Sequence, residues 1–573
     1  MPRTPREAQH AVPRAGPRLW RKNEAGYAWV PTNLEMFMHS SHLIKAPCAQ
    51  RHAVCAAALT ALGLGAGAAL ADISQSGEQR NMHRVGHSDL QGRAAYQPNV
   101  IVYPDGRTIA FVGTHTGSAP NPLKGGAVEA NGVMIVDVSN PEKPVDKFHI
   151  PATSGQTQSV RMCLGSDLPR GTPGQVYLMR NVQGGAASGF EVWNVTNVSA
   201  PTLVGAMRSL SNTHKPWWEC KSGIAYLPGS RTADNWRQRQ SMLVVDWSNP
   251  ASPVHLRTFG LPGGQPSGTG PVPTSLHGAI SAHEHPMASQ RLARGAGTDD
   301  TIGNRIYLAW GVGDYGVMQV LDRKKLLPVS HGGSWVGDPN NPTNAQLESA
   351  QTSILYMSPD QGGHTALPIF GMKPKSYENF TEFQTRDIVV LASESTSDLC
   401  QESPHWSFIV DVTVENSKAL SSGPPERSAL PNPWQGPMVL STMSVDPRAG
   451  EKYKRGNYCT RGARFGTHSS EENFLNPYYG KLTFIAYFTG GVRAWDIREP
   501  HAPVEVGFYV PVSNANTNAD GYMTNNLEVD KRGYVYAVDR NGAGLDILRL
   551  SGKARRIGFP NDRDRDGDGD HDD

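Results

Sequence analysis

Short apolar runs recur along this chain, and each ends in a polar turn. The clearest is Gly-Val-Met-Ile-Val-Asp at residues 132–137, which is followed by Val-Ser-Asn-Pro. An unbroken apolar run of this length that closes at a turn signal predicts a buried β-strand. The phrase has seven copies, the last degenerate, at residues 132–138, 189–195, 241–247, 316–322, 407–412, 491–497 and 544–550.

A second apolar phrase precedes each copy. It occurs at residues 109–112, 176–178, 224–227, 306–308, 388–391, 482–485 and 535–538. Each repeat therefore contains at least two strands and has room for four. The turn residues Asp137 and Asn194 are 57 positions apart, slightly more than the roughly 40–50 residues of a four-stranded propeller blade. We predict an all-β protein, a seven-bladed β-propeller of four-stranded blades, because radial repetition leaves few open sheet edges.

The repeated Val-Met-Ile-Val-Asp phrase resembles the repeat of LVIVD-repeat proteins, a family of bacterial secreted or surface β-propellers. The resemblance extends over nearly the whole predicted mature chain. It implies the propeller fold, but it implies no common reaction, and a fold by itself does not define a function.

The N-terminal part of the chain has the pattern of an export signal. Residues 1–37 are predicted to be a non-structural extension, and residues 38–71 a signal peptide with a basic start, an Ala/Leu/Gly-rich stretch and an Ala-Leu-Ala cleavage site after Ala71. The alternative is an uncleaved membrane anchor. Residues 72–560 would form the propeller, and residues 561–573 an acidic tail. We expect a secreted or periplasmic protein with no stable membrane span after cleavage.

Composition excludes one class of function. The formal net charge is +2, and the segment removed with the signal is basic, so the predicted mature chain is nearly neutral. Basic patches with interleaved aromatic residues are lacking, which argues against nucleic-acid binding. The expected partners are a small molecule or a surface or periplasmic protein.

Cysteines in the predicted mature chain suggest two disulfides. Cys163, Cys220, Cys400 and Cys459 allow three connectivities in an exported protein. We favour Cys163–Cys220 and Cys400–Cys459. Cys163 and Cys220 are 57 positions apart, as are the turn residues Asp137 and Asn194, so they should occupy matching positions in neighbouring repeats. Free buried thiols are the alternative.

Histidines at matching positions of the repeats are the strongest chemical signal. Each of four precedes the second apolar phrase of its repeat, where an innermost strand would begin: His214, His277, His364 and His468. His87 is predicted to hold the same position in the first repeat. Imidazoles that converge on the propeller axis would bind Fe, Cu or Zn. Loop histidines bonded to backbone carbonyls are the alternative.

Other polar residues could complete such a site. Glu219 and Glu471 are candidate catalytic bases, and with Glu284 and Glu472 they could orient imidazole N–H groups. The pair His283 and His285 would point to one face if it lay on a strand, or would belong to an insertion loop. The arrangement resembles that of carotenoid-cleaving oxygenases, which hold iron by four histidines on a propeller axis, and of selenium-binding-type thiol oxidases.

The chain ends in an Asp-rich segment with the spacing of a calcium loop. The candidate ligands are Asp562, Asp564, Asp566, Asp568 and Asp573. Asp replaces the usual Glu at the last position, so we expect weak Ca²⁺ binding; a solvated acidic tail is the alternative.

Two functions follow from these patterns. The first is a metal-dependent oxidoreductase, an oxidase or oxygenase that acts on a small organic substrate at the axial mouth, because an all-His shell suits a redox metal. The second is a non-enzymatic binding scaffold that uses long loops such as residues 260–273 and 421–437.

Overall fold

The computed structural model describes residues 78–292, 301–379, 384–413 and 437–562. All of these residues belong to the unit Ala69–Asp573. None of the helices found there has the length and apolar character needed to cross a membrane. The predicted extension, the signal peptide and nearly all of the acidic tail lie outside the described residues.

The described chain begins with strands that pair with its far end, followed by a sheet formed locally. These strands are β1 (Gln79–Arg80), β2 (Met82–Ser88), β3 (Ala95–Val102), β4 (Thr108–Thr114), β5 (Ser118–Asn121), β6 (Ala127–Ala130), β7 (Gly132–Asp137) and β8 (Val145–Pro151). The sheet has the antiparallel order β3-β4-β7-β8, and β5 and β6 form a separate hairpin. The second apolar phrase and the Asp phrase are thus its two middle strands.

The next four sheets repeat this antiparallel pattern. Their strands are β9 (Val160–Leu164), β10 (Val176–Val182), β11 (Gly189–Asn194), β12 (Thr202–Arg208); β13 (Leu210–Ser211), β14 (Trp217–Trp218), β15 (Ile224–Arg231), β16 (Ser241–Asp246), β17 (Val254–Phe259); β18 (Leu276–Ser281), β19 (Arg305–Trp310), β20 (Val317–Asp322), β21 (Gln351–Tyr356); and β22 (Thr365–Met372), β23 (Arg386–Ala392), β24 (Ser407–Asp411), β25 (Met438–Met443). In each sheet the strands pair in chain order, and β13 adds one extra strand at β15.

The last sheet contains nine strands. Seven come from the end of the chain: β26 (Phe465–Ser470), β27 (Leu482–Phe488), β28 (Val492–Asp496), β29 (Val504–Tyr509), β30 (Thr524–Val529), β31 (Tyr534–Asp539) and β32 (Leu545–Leu550). The N-terminal strands β1 and β2 complete it by pairing with β29 and β32. Its two halves, β26–β29 and β30–β32 with β2, are joined as paired strands by Phe488 of β27 and Thr524 of β30.

Helices are short in the described residues. The α-helices are α1 (Arg323–Leu326), α2 (Asn344–Glu348) and α3 (Gly552–Gly558). Short 3-10 helices occur at Leu90–Gly92, Pro122–Lys124, Thr232–Asp234, Ile302–Asn304, Val329–His331, Lys375–Tyr377, Pro447–Lys452 and Tyr458–Thr460. None of them interrupts the sheets.

The middle strands are apolar at every position because both of their faces are buried. In β4, Ile109 and Phe111 pack on one side against Leu178 of the following sheet. The alternate residues Ala110 and Val112 pack on the other side, against residues of β31 and β32 in the last sheet. A sheet with one solvated face would instead show an apolar–polar alternation.

This packing continues from sheet to sheet and closes on itself. Residues of β10 and β11 pack against β15 and β16, β19 and β20 against β23 and β24, and β27 and β28 against β31. Contact between the first and last sheets completes the ring. The described chain is therefore a β-propeller, closed by the N-terminal strand β2.

The Asp or Asn that ends several of the phrases organises the turn after the third strand. The Oδ1 atoms of Asp137, Asp246 and Asp411 accept hydrogen bonds from the backbone N–H two residues later, at 2.9–3.0 Å. Asn194 forms the same bond to Thr196. Both Asp and Asn can form this Asx turn, which explains why either residue occurs at the position.

Candidate functional site

Four of the predicted histidines meet at the first strands of neighbouring sheets. His277 lies in β18 and His468 in β26, while His364 directly precedes β22 and His214 precedes β14. These strands run side by side: Lys215 bridges Gly278 in parallel. The shared position before the second apolar phrase is therefore a shared position in the fold.

The four rings form a continuous cluster. Ring centroids are 4.5 Å apart for His214–His277, 3.6 Å for His277–His364 and 4.3 Å for His364–His468. His364 and His468 are fully buried and His277 is 3% exposed, whereas His214 is partly exposed. The hydroxyl of Tyr96 lies 3.1 Å from His214 Nε2 and 3.4 Å from His277 Nε2.

Backbone carbonyls fix the orientation of two rings. His277 Nδ1 donates to the carbonyl oxygen of His364 at 2.8 Å, and His468 Nδ1 donates to that of Asn525 at 2.7 Å. A carbonyl oxygen only accepts, so in the neutral ring the lone pair is on Nε2. The Nε2 of His468 and both nitrogens of His364 are buried without a hydrogen-bond partner in the described residues.

A carboxylate that the sequence analysis did not identify completes the cluster. Glu394 lies 3.3 Å from His364 Nε2 and 3.7 Å from His468 Nε2. His277, His364 and Glu394 each offer an atom within 4.8 Å of the others, a spacing that could hold a metal ion. Nitrogen and carboxylate ligands in this combination suit Fe, Cu or Zn.

Burial keeps these imidazoles neutral. It lowers the pKa of His277, His364 and His468 well below the usual range, and the neighbouring cationic and imidazole groups act in the same direction. Burial and Lys215 lower the pKa of His214 to about 3. Burial raises the pKa of Glu394. At neutral pH the histidine lone pairs are therefore available to a ligand.

The two carboxylates predicted as catalytic bases lie elsewhere. Glu219 is fully buried and receives hydrogen bonds from Arg323, at 2.6–3.1 Å, and from Ser222 and Ser281. Glu471 accepts hydrogen bonds from the backbone N–H of Phe484, at 2.8 Å, and from Thr483. In the structure neither contacts the four histidines.

Three further histidines do not join the cluster. His87 lies on β2, an outer strand, and pairs with Asp546 at 2.8 Å, because β2 closes the last sheet rather than starting the first. His283 and His285 follow β18 in a turn, as the loop alternative predicted. His285 packs among Phe370, Phe474 and Tyr479.

Several residues around the cluster follow the second strand of their sheets. His115 follows β4, Glu394 follows β23 by two positions, and Arg540 follows β31. The Nη1 atoms of Arg464 and Arg540 approach Glu394 Oε1 at 3.2 and 3.7 Å. The position after the second apolar phrase would have been the sequence signal for these residues.

A second charged layer lies next to the histidines. Lys215 and Arg161 both pair with Glu472, which explains why Glu472 does not orient an imidazole. Glu284, the fourth predicted carboxylate, accepts from the backbone N–H of Lys221 at 2.5 Å. Trp217 and Trp218 line a cavity of about 340 Å³ beside this layer, together with Glu284 and Glu472.

Both disulfides have the connectivity favoured from the sequence. Cys163–Cys220 joins adjacent sheets, and Cys400–Cys459 has a separation of 59 residues. Disulfides are compatible with an exported protein. Of the predicted calcium ligands, only Asp562 is described, and it accepts from Arg555 at 2.5 Å.

The fold and the cluster define a β-propeller with buried histidines at the starts of its inner strands. The family model of the LVIVD repeat matches residues 127–150 and 234–259. These stretches include the strands β7 and β16, which carry the Asp phrase. The resemblance to LVIVD-repeat proteins is thus confirmed at two places in the chain.

Comparison with solved structures finds distant likenesses. The Cps50 (Swd1) β-propeller domain of Myceliophteria thermophila shares 10% identity over 80% of this chain and 98% of that chain, with a TM-score of 0.39. A putative 6-phosphogluconolactonase of Bacteroides fragilis shares 10% identity over 76% of this chain and 88% of its own, with a TM-score of 0.41. Sqt1 of Chaetomium thermophilum shares 13% identity over 82% of this chain and 98% of its own, with a TM-score of 0.41. A search of curated proteins finds no significant match.

Proposed function

We propose that this protein is an exported, seven-bladed β-propeller oxidoreductase that holds one transition-metal ion at its histidine cluster and oxidises a small organic molecule. The observation that carries the proposal is a continuous row of four imidazoles, His214, His277, His364 and His468, in which His277 and His364 lie with Glu394 at a spacing that could hold an ion. Four imidazoles from four different sheets are brought together, and several of their ring nitrogens have no hydrogen-bond partner among the residues that the structure describes.

The count of seven blades treats the nine-stranded sheet as two. Its halves have four main strands each and are joined by the single pair Phe488 and Thr524, whereas strands within each half pair along their length. Export is supported by the two disulfides and by the signal-like residues 38–71.

Metal binding is supported by the bonds that orient the rings. A metal-ligating His commonly donates its other N–H to a backbone carbonyl or carboxylate, which fixes the tautomer. His277 and His468 have this arrangement through their Nδ1 atoms. Glu394 supplies a negative charge beside His364 and His468. The ion is Cu, Fe or Zn by donor type, and Cu or Fe for oxidation.

Oxidation is favoured over hydrolysis by the nitrogen-rich ligand set, which suits redox metals and leaves room for other ligands. The oxidant we assign is dioxygen. In the reaction the substrate loses two electrons and two protons, and dioxygen takes them up as hydrogen peroxide. The Tyr96 hydroxyl, within 3.4 Å of two imidazole nitrogens, lies where it can donate or accept a proton.

The test is the metal content of the full chain, purified without a His tag or chelator. We expect about one Cu or Fe per chain by elemental mass spectrometry. The double variant His364→Gln and His468→Gln should lose that metal, and the exposed His501→Gln is the matched control. Oxygen uptake with a panel of small alcohols, thiols and organic acids then measures activity.

Two results would overturn the proposal. The first is a wild-type protein that holds no metal after reconstitution with Cu²⁺ and Fe²⁺. The second is a double variant that folds, by circular dichroism, and keeps the wild-type metal content. Either would leave the binding scaffold as the interpretation of the sequence.

A further inference from the structure

The histidine cluster opens into a cavity of about 530 Å³. Tyr96, His214, His277 and Glu394 line it together with Arg540. Further lining comes from the amide side chains of Gln156, Gln158, Gln183 and Gln240. Cavities that bind apolar ligands have mainly aliphatic and aromatic walls, whereas amide and charged side chains form about half of this wall. This lining indicates a small polar ligand.

Two guanidinium groups face one carboxylate at the inner end of this cavity: Glu394 is approached by both Arg464 and Arg540. Asp398 is 3.9 Å from Arg464 with a side chain that is 57% exposed, and Asp314 lies at the rim. Glu402 is 19% exposed but already accepts hydrogen bonds from Ser395, Thr396 and Ser397. Exposed charges are screened by solvent and compensate a buried cation poorly. A bound anion would balance the second guanidinium.

Arg540 has hydrogen-bonding capacity to spare at the inner end of this cavity. Its side chain is 23% exposed, and the ion pair with Glu394 at 3.7 Å is too long for a hydrogen bond. Its guanidinium donates no hydrogen bond to any of the described residues, whereas Arg464 donates to Glu394 and to the carbonyl of Ser395. A guanidinium offers a planar fork that matches a carboxylate.

Unpaired polar atoms near Arg540 extend the same binding surface. Gln158 Nε2 bonds to His115 Nδ1 at 3.1 Å, which leaves Gln158 Oε1 and His115 Nε2 without partners in the described part of the chain. Arg540 lines the same cavity as His214 and His277. A ligand held by Arg540 would therefore lie against the histidines.

We propose that the cavity receives a small, polar organic acid whose carboxylate pairs with Arg540, so that the neighbouring carbon faces the histidine cluster. This inference rests on the proposed function, because it names the substrate class of the same site. In the reaction a hydroxyl group on that carbon becomes a carbonyl, and the two electrons and two protons pass to dioxygen.

Calorimetric titration of the full chain tests the substrate class. The probes are lactate and its uncharged analogue lactamide, which differ in the carboxylate alone. We expect lactamide to bind about tenfold or more weakly, because a hydrogen bond to a charged group contributes about 1.5–3 kcal/mol. Arg540→Gln should weaken lactate binding by a similar factor, and Arg540→Lys should retain part of it. Arg498→Gln, at an exposed pair with Asp496, is the control.

Titration of metal-free and metal-loaded protein separates this inference from the proposed function. Arg540-dependent lactate binding in a protein that takes up no metal would support the acid site and remove the oxidoreductase. Three results in a protein that takes up metal would overturn the acid site and leave the metal centre. They are equal affinity for lactate and lactamide, no lactate binding, and lactate binding that is unchanged in a folded Arg540→Gln variant.

Discussion

The Nε2 atoms of His214 and His277 lie 2.7 Å apart. At this distance the two nitrogens share either one proton or one cation. His277 Nδ1 already donates to a carbonyl oxygen, so His277 Nε2 carries a lone pair in the neutral ring. The pair is thus ready to bind an ion once the His214 proton leaves.

The geometry of this pair gives the first prediction. Nitrogen ligands at about 2.0–2.1 Å from an ion are about 2.9 Å apart as neighbours in a tetragonal site and about 3.3 Å apart in a tetrahedral site, so the two Nε2 atoms should separate when metal binds. X-ray absorption of Cu-loaded protein should show a nitrogen shell at about 2.0 Å with imidazole scattering. A spectrum without imidazole scattering, or one unchanged in His277→Gln, would contradict this assignment.

The second prediction concerns Glu394. Glu394→Gln removes the negative charge beside His364 and His468 while the guanidinium groups of Arg464 and Arg540 remain. Metal affinity should fall by about 10–100-fold. Competition with a chromophoric chelator measures the change. Glu505 of the outer strand β29 pairs with Arg80 and Arg493, so the control variant Glu505→Gln should keep the wild-type affinity for metal.

The third prediction is a pH dependence of stability from Glu471. Burial raises the pKa of this carboxyl from 4.5 to about 7. Below pH 4.5 the group is protonated in both the folded and unfolded states. Between pH 4.5 and 7 only the unfolded state ionises, so stability falls as pH rises, and above pH 7 the loss is constant at roughly 3 kcal/mol.

Glu471→Gln should therefore stabilise the protein at pH 8 and change it little at pH 4.5. The amide oxygen can still accept from Phe484 N and Thr483, so the hydrogen bonds are kept. Denaturant unfolding at both pH values measures the difference, with the exposed Glu142→Gln as the control. An equal effect at both pH values would refute the explanation.

The fourth prediction concerns the Cys163–Cys220 disulfide, which links residues 57 apart in two adjacent sheets. Closing a loop of this length should stabilise the fold by about 4 kcal/mol through the unfolded state. The double variant Cys163→Ser and Cys220→Ser should lose about that amount in denaturant unfolding. For the control, Cys400 and Cys459 are replaced by serines in both proteins that are compared. Reduction of Cys163–Cys220 should then lower the stability as much as its replacement by serines does.

Much of the fold was predictable because its strands are apolar on both faces. The Asp phrase and the phrase before it lie in β7 and β4 and in the equivalent strands of the other sheets. The closing strand β2 was not predictable, because its sequence Met-His-Arg-Val-Gly-His-Ser is polar and its partner β32 is more than 450 residues away. For that reason His87 was assigned to the wrong sheet.

The site was predictable only where it repeats. His214, His277, His364 and His468 share a position relative to the apolar phrases. Glu394 follows the second apolar phrase of its repeat, but His115 and Arg540 stand at that place in theirs, so the residue type does not repeat. Glu219 and Glu471 were selected by proximity in sequence. A strand rises about 3.3 Å per residue, so residues three to five positions beyond a histidine lie at a different depth along the axis.

The fifth prediction tests ring closure at Gly86 of β2. A Cβ at this position would collide with the backbone carbonyl oxygen of Pro141, in the turn that follows β7, and Gly205 of β12 meets Pro250 in the same way. The outer strand of one sheet thus packs on the Asn-Pro turn of the next, with no space for a side chain. Because a backbone carbonyl cannot move aside cheaply, Gly86→Ala should cost about 1–3 kcal/mol of unfolding free energy.

Gly229→Ala is the matched control, because a Cβ there would make only ordinary contacts, the nearest at 3.4 Å to the carbonyl oxygen of Ser211. Chemical denaturation of both variants measures the costs. Since β2 joins the two ends of the chain, the Gly86 variant should also release its N-terminal strand first, seen as faster amide exchange in Met82–Ser88 than in β18 or β22. Equal stability of the two variants would show that the turn and the outer strand are not rigidly packed, and closure would then depend on the β2–β32 hydrogen bonds alone.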